Sequence, residues 1–396
     1  MQPNPPPSPQ PIVDEAPGSL LALGVEQRVI RACLLEPVAG EHRLAGWINV
    51  QRDPTSELTQ QIRVACQRLG RRLGRKLWDD GLDAPFLQSE DPVAYPPLNQ
   101  VLAASSPRAL LRVWVAGLSR AGGMAVAEAA VTAAPARVVG ATMLTATVNG
   151  KRLADQLSGA RPDVLIITGG YDDPDPATHK PVYQLSKMVA SALERLPPSQ
   201  YPLVIYAGDR WLAAPTADLL AAVDEILPVE VIGNVRPGPG TAVQTPLAVA
   251  LTRQHRNLCQ RMPGFTRLGR WITRPARIVS MEAAFTQGVR AWMEVEKLPE
   301  LHGVYFTSAW RLHVWAQQGA EYVRMHYAPA QVQIRALDGW PPVDLISGSP
   351  PAHFPALAPR WRDRSGMMPV IATVGQVAPN AMVQVLRQDL LEAVEV

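Results

Sequence analysis

The chain is short of cysteine, of charge excess and of long apolar runs, and each shortage narrows what it can be. Its three cysteines, Cys33, Cys66 and Cys259, are widely separated, odd in number and without Cys-x-x-Cys spacing. That pattern argues against a disulfide framework and against a zinc site, and fits a reducing compartment. Lysine and arginine number 38 against 35 acids, so overall charge gives no reason to expect a polyanion such as nucleic acid as partner. No uncharged apolar stretch reaches the ~18 residues of a membrane-spanning helix, and the N-terminus lacks a basic segment followed by an apolar one. A cytoplasmic protein with neither nucleic-acid nor membrane partners is expected. Familiar catalytic motifs are missing too. Gly150-Lys151 lacks the upstream glycine and downstream hydroxyl residue of a P-loop, and Gly238-Pro-Gly240 lacks the third glycine of a dinucleotide fingerprint. There is no Gly-x-Ser-x-Gly elbow and no His-Glu-x-x-His, and the seven histidines show no metal-ligand spacing.

With 47% hydrophobic residues over 396 positions, the chain can build two or three cored domains. Residues 1–17 carry seven prolines and no periodicity, which predicts a flexible tail. Residues 18–105 open with three apolar segments separated by turn residues, a strand meander, and continue into a helix over 55–78 with Leu58, Ile62, Val64, Leu69, Leu73 and Leu77 at helical spacing. Arg63, Arg68, Arg71, Arg72, Arg75 and Lys76 fall largely on other faces; a solvated basic surface is the plain reading, an anion-binding one the alternative. Residues 106–275 alternate strand and helix: strands near 110–116, 137–143, 163–168, 203–207 and 229–235, and helices reaching 133 and over 151–158, 178–195, 215–223 and 243–262. Alternation of this length predicts parallel βαβ units, an α/β doubly wound sheet. Residues 276–337 read as a short strand at 277–280, a helix over 281–296 and a second meander. Residues 338–396 are proline-rich at first and end in an expected strand at 369–374 and helix at 379–392.

The most informative stretch is Asp163 to Asp173. An apolar, β-branched run stops at Thr168-Gly169-Gly170 and acids follow, the pattern of a buried strand opening into a loop at its carboxyl end, where open α/β sheets bind ligands. Glycine lets backbone approach an anion closely. Asp172, Asp173 and Asp175 would repel a bare anion, and helix capping is their plainer role. Gly208-Asp209 and the loop holding Asn234 open on the same edge, and Ser119-Arg-Ala-Gly122-Gly123 is a further glycine-rich loop between a strand and a helix. The ligand-facing candidates are therefore Thr168, Gly169, Gly170, Asp172, Asp173, Gly208, Asp209, Asn234, Ser119, Gly122 and Gly123. Ser119 has no base that can be named for it, so no catalytic residue is assigned, and no metal ligand either.

The run Gly117 to Gly123, the stretch Gly140 to Gly159, the Thr168-Gly-Gly-Tyr-Asp172 loop, Tyr206-Ala-Gly-Asp209 and Asn234-Val-Arg-Pro237 occur in the order and spacing of the glutamate mutase-associated MutL family. This family, distinct from the mismatch-repair proteins of the same name, accompanies adenosylcobalamin-dependent mutases and resembles actin-like ATPases. The resemblance spans roughly residues 19 to 330 and is specific between about 110 and 240. About half of the family's Ala-Gly-Gly-Thr-Asp-Gly-Gly survives at Thr168 to Pro174. It implies actin-like, ribonuclease H-like elements around the central βαβ block.

Actin-like ATPases carry Asp-x-Gly on a first phosphate hairpin and Asp-x-Gly-Gly on a second. The matching stretches are Ala22-Leu23-Gly24 and Tyr305-Phe306-Thr307-Ser308, where the acids are absent. The resemblance therefore implies a degenerate member that has lost ATP hydrolysis, with no cofactor. Its role would be that of an accessory or scaffold whose partner is a mutase subunit or an intact MutL-like paralogue. Two alternatives stand beside it. In one, the chain is an ATP-dependent accessory enzyme using magnesium and the acids Asp172, Asp173 or Asp209. In the other, it is a small-molecule or phosphate sensor built on the Gly-Gly loop.

Overall fold

A computed structural model describes residues 18–329 except 40, 274–277, 296, 307–309, 321 and 322. The proline-rich tail at 1–17 and the elements expected beyond 329 lie outside the described residues. The described chain forms two compact units, one holding 29–104 and 263–278 with the start of the chain to Val25, the other holding Glu26–Arg28, 105–262 and the chain from Val279.

In the first unit, β1 (Leu20–Glu26), β2 (Val29–Val38) and β3 (Glu41–Gln51) form the expected antiparallel meander. Alternation points Leu21, Leu23 and Val25 of β1 and Ile30, Ala32 and Leu34 of β2 into one core. The amphipathic helix α1 (Leu58–Leu73) buries Leu58, Ile62, Ala65, Cys66 and Leu69 against it. A two-residue pair, β4 (Trp78–Asp79) and β5 (Ala84–Pro85), follows, and β6 (Gln100–Ser106) completes a four-stranded sheet in the order β3-β2-β1-β6.

The second unit contains a five-stranded parallel sheet. Its elements run β7 (Leu111–Gly117), α2 (Ala125–Thr132), β8 (Ala136–Met143), α3 (Gly150–Ala160), β9 (Val164–Thr168), α4 (Pro176–Leu193), β10 (Leu203–Tyr206), α5 (Ala213–Ala221), β11 (Val229–Val231) and α6 (Thr245–Gln260). The strand order is β11-β10-β9-β7-β8, with β7–β8, β7–β9, β9–β10 and β10–β11 all parallel. This is a doubly wound α/β sheet, as the alternation predicts. Val164 and Ile166 of β9 pack with α2 and α6 on one face, and Leu165 and Ile167 pack with α3 and α4 on the other. Burial on both faces explains why these strands are almost continuously apolar. The chain passes from β7 outward to β8 and then across to β9, so strand order reverses between β7 and β9. Crevices in such sheets form at that place.

After α6 the chain enters the first unit through α7 (Phe265–Trp271), a helix without a strong sequence signal. Of the strand expected at 277–280, Val279 makes an isolated bridge. In the second unit, α8 (Met281–Val295) packs on a three-stranded antiparallel sheet of β12 (Glu300–Phe306), β13 (Trp310–Gln317) and β14 (Arg324–Pro329). Its aromatic core links Phe285 to Tyr305, Tyr305 to Trp310 and Trp310 to Tyr327, with ring centroids 5.3, 5.8 and 5.8 Å apart. No helix among the described residues is long and apolar enough to cross a membrane.

Candidate functional site

The carboxyl edge of the parallel sheet collects the loops that the sequence singles out. Thr168 ends β9 fully buried, and its hydroxyl donates to the Ala207 carbonyl at 3.5 Å. The next two residues leave the strand with φ of +143° at Gly169 and +75° at Gly170, conformations that side-chain-bearing residues rarely adopt. The chain turns back across β10, where the Asp209 amide donates to the Gly169 carbonyl at 3.0 Å.

The glycines of these loops face protein atoms. A methyl group at Gly169 would lie 2.8 Å from Leu118 Cγ, and one at Gly170 would lie 2.8 Å from Val182 Cγ2 and 3.0 Å from Asp209 Cβ. At Gly123 it would meet the Thr168 hydroxyl at 2.6 Å, at Gly122 the Arg236 guanidinium at 2.9 Å, and at Gly208 the Gly169 carbonyl at 2.8 Å. Loops after β7, β9, β10 and β11 thus pack directly on one another. Leu118 and Arg236 are central to that closure. Leu118 sits over Gly169, and Arg236 reaches from the loop after β11 to donate to the Ala121 carbonyl at 3.3 Å while standing over the Tyr171 ring.

The acids serve the same closure. Asp172 accepts from the Arg210 amide at 3.0 Å and from the Asn234 side chain at 2.9 Å, and its own amide donates to the Pro237 carbonyl. Asn234, only 6% exposed, also donates to the Gly170 carbonyl at 3.1 Å and accepts from the Arg236 amide at 2.9 Å. It therefore ties the loop after β11 to the loop after β9. Asp173 accepts from the Asp175 amide, and Asp175 caps α4 by accepting from the Ala177 amide, both at 2.9 Å. Ser119 stays exposed at the start of an irregular turn, Arg120–Met124, and makes no side-chain capping bond.

Asp209 is the exception among these carboxylates. It is 1% exposed, and one oxygen accepts from the Trp211 amide at 2.9 Å while the other, Oδ2, has no hydrogen-bond donor. His179 Nε2 stands 3.4 Å from that oxygen and 2.7 Å from the Asp173 carbonyl. Burial raises the Asp209 carboxyl above its ordinary range; the Trp211 amide and His179 oppose the rise, and Asp172 and Asp173 add to it. His179, Arg210 and Leu118 are parts of the site that carry no motif, and only their positions beside loop glycines and acids could have signalled them.

A separate polar cluster lies inside the same unit. Ser106 donates to the Glu282 carboxylate, His255 Nδ1 is 3.8 Å from the same group, and Cys259 Sγ is 3.9 Å from that ring nitrogen. The order Cys, His, Glu resembles a nucleophile relay, but burial pushes the Cys259 thiol up to about 12 and holds His255 below its usual value. A protonated, buried thiol is a poor nucleophile. Cys33 and Cys66 are likewise buried and free, with thiols raised to about 11 and about 12. Among the described residues, no group of three or more His, Cys, Asp or Glu side chains is placed to hold a metal ion.

No curated protein matches this chain. The sequence model of one family, described as MutL protein, matches residues 48–301, from within β3 to the start of β12. All the sheet-edge loops fall inside that span. The match covers well over half of the 396 residues, and the chain therefore belongs to the MutL family, the one associated with glutamate mutase.

Proposed function

We propose that this chain is a non-catalytic MutL-like protein, an accessory or scaffold for an adenosylcobalamin-dependent mutase or for an intact MutL-like paralogue. The observation that carries the reading is the pairing of Tyr305 with Glu26. Glu26 is the sole carboxylate between Leu20 and Val29. It is 3% exposed and accepts a hydrogen bond from the Tyr305 hydroxyl. Tyr305, at the position where a second phosphate hairpin would need an acid, is itself fully buried among Phe285 and Trp310. Magnesium-nucleotide chemistry needs exposed carboxylates and close backbone approach to phosphate. Ala22, Tyr305 and an already bonded Glu26 do not fit that need.

The alternative reading, an ATP-dependent accessory enzyme with relocated acids, draws less support. Asp172, Asp173 and Asp175 each engage one carboxylate oxygen with loop amides or Asn234, and the glycines beside them are covered by Leu118, Val182, Asp209 and Arg236. The packed loops also disfavour a sensor pocket at this edge. Co-expression with the mutase subunits and with any MutL-like paralogue, followed by size-exclusion chromatography without nucleotide, tests the scaffold reading. Co-elution as a defined complex is expected. Separate elution of every pair would overturn it.

A further inference from the structure

A second feature, independent of the sheet edge, lies in the first unit. Where α1 ends and the chain turns into β4, an open cavity of 460 Å³ is lined by Arg71, Arg75, Lys76, Leu77 and Trp78 among others. We propose that this cavity binds a small molecule with an apolar ring and an oxyanion, an aryl phosphate monoester or an aryl carboxylate in chemical class.

Charge supports the oxyanion. Three cations and no acid line the cavity, and neither Arg71 nor Lys76 has a carboxylate partner among the described residues. Asp80, nearby in the chain, is held instead by Arg63 at 2.7 Å and by Gln67 at 3.0 Å. Arg75 is fixed in place. Its guanidinium pairs with Glu36 at 2.5 Å and donates to the Pro96 carbonyl at 3.1 Å. A basic last turn also suits the carbonyl end of a helix, but that role needs no cavity.

The wall supplies the rest. Leu77 and Trp78, only 1% and 3% exposed, lie at the base of the cavity, whose lining is mostly apolar. Lys76 lies over the Phe86 ring, 4.3 Å from its centroid. Arg75 Nε and Trp78 Nε1 are buried N–H groups without an acceptor. The cavity's volume is within the range of small-molecule sites.

Phenyl phosphate is a suitable probe, titrated by calorimetry into the full chain and followed through the indole N–H resonances, with Trp78→Phe assigning the relevant one. Saturable binding that shifts the Trp78 resonance is expected, weaker by about tenfold or more in the Arg71→Gln/Lys76→Gln double variant, a change of about 1.4 kcal/mol. Both residues are exposed, so the variant should keep the wild-type melting temperature. Absence of saturable binding at millimolar concentration, equal affinity in the double variant, or shifts that spare Trp78 would overturn the assignment. Inorganic phosphate binding as tightly as phenyl phosphate would also overturn it, because the apolar wall would then contribute nothing.

Discussion

The Tyr305 hydroxyl donates to the buried carboxylate of Glu26, joining the tip of the β1–β2 hairpin to β12 across 279 positions of sequence. Removing the hydroxyl as Tyr305→Phe takes a donor from a buried carboxyl group while keeping the ring on Phe285 and Trp310. The expected cost is about 1–3 kcal/mol, read from urea unfolding. An unchanged midpoint would show that the pair contributes nothing to the folded state.

Gly170 combines φ of +75° with neighbours at 2.8 and 3.0 Å. Gly170→Ala should destabilise the second unit by about 1–3 kcal/mol through strain and crowding, lowering its melting temperature by a few degrees. Gly159, with open space around it, lies inside α3, and Gly159→Ala should leave stability equal or slightly raised. Equal effects at the two positions would contradict the closed-loop description.

Asn234 makes three hydrogen bonds, to Gly170, Asp172 and Arg236. Asn234→Ala should cost about 1–3 kcal/mol and raise hydrogen exchange at the Arg236 amide, which loses its acceptor. Asn234→Asp should be no better, since it sets a carboxylate against Asp172. Protection at Arg236 equal to the wild type would rule out the bridging role.

Asp209 gives a pH dependence with a definite sign. Its folded-state pKa lies above the ordinary 3.8 because of burial, so between the two values the folded state holds more protons than the unfolded one. Stability contributed by this group is therefore lost as pH rises through that interval. Asp209→Asn keeps an acceptor for the Trp211 amide and removes the titration. Its stability relative to wild type should increase as pH rises from 4 towards neutrality. A difference that is flat or falls with pH would contradict the burial argument.

Much of this architecture is legible in the sequence, because periodicity reports burial. The β7 to α6 alternation follows from apolar runs of strand length broken by glycines and helical spacings, and the structure keeps it with shifts of a few residues. β11 is shorter than its apolar run suggests, ending at Val231, because the chain must turn there to bring Asn234 to the edge. β6, Gln-Val-Leu-Ala-Ala-Ser-Ser, has a weak sequence signal because small residues blur alternation. The entry of α7 into the first unit has no local signal at all. Thr168, the Gly-Gly pair and the acids were legible as an edge of the sheet. What faces each glycine was not: the contacts of Leu118 with Gly169 and Arg236 with Gly122 depend on tertiary packing between distant loops.

The proposed loss of ATPase activity in this MutL-family chain is tested most directly by calorimetric titration of the full protein with ATP and magnesium, paired with a phosphate-release assay. Neither magnesium-dependent binding nor turnover is expected. Saturable magnesium-dependent binding with phosphate release, abolished by Asp172→Ala or Asp209→Ala in a folded protein, would contradict it.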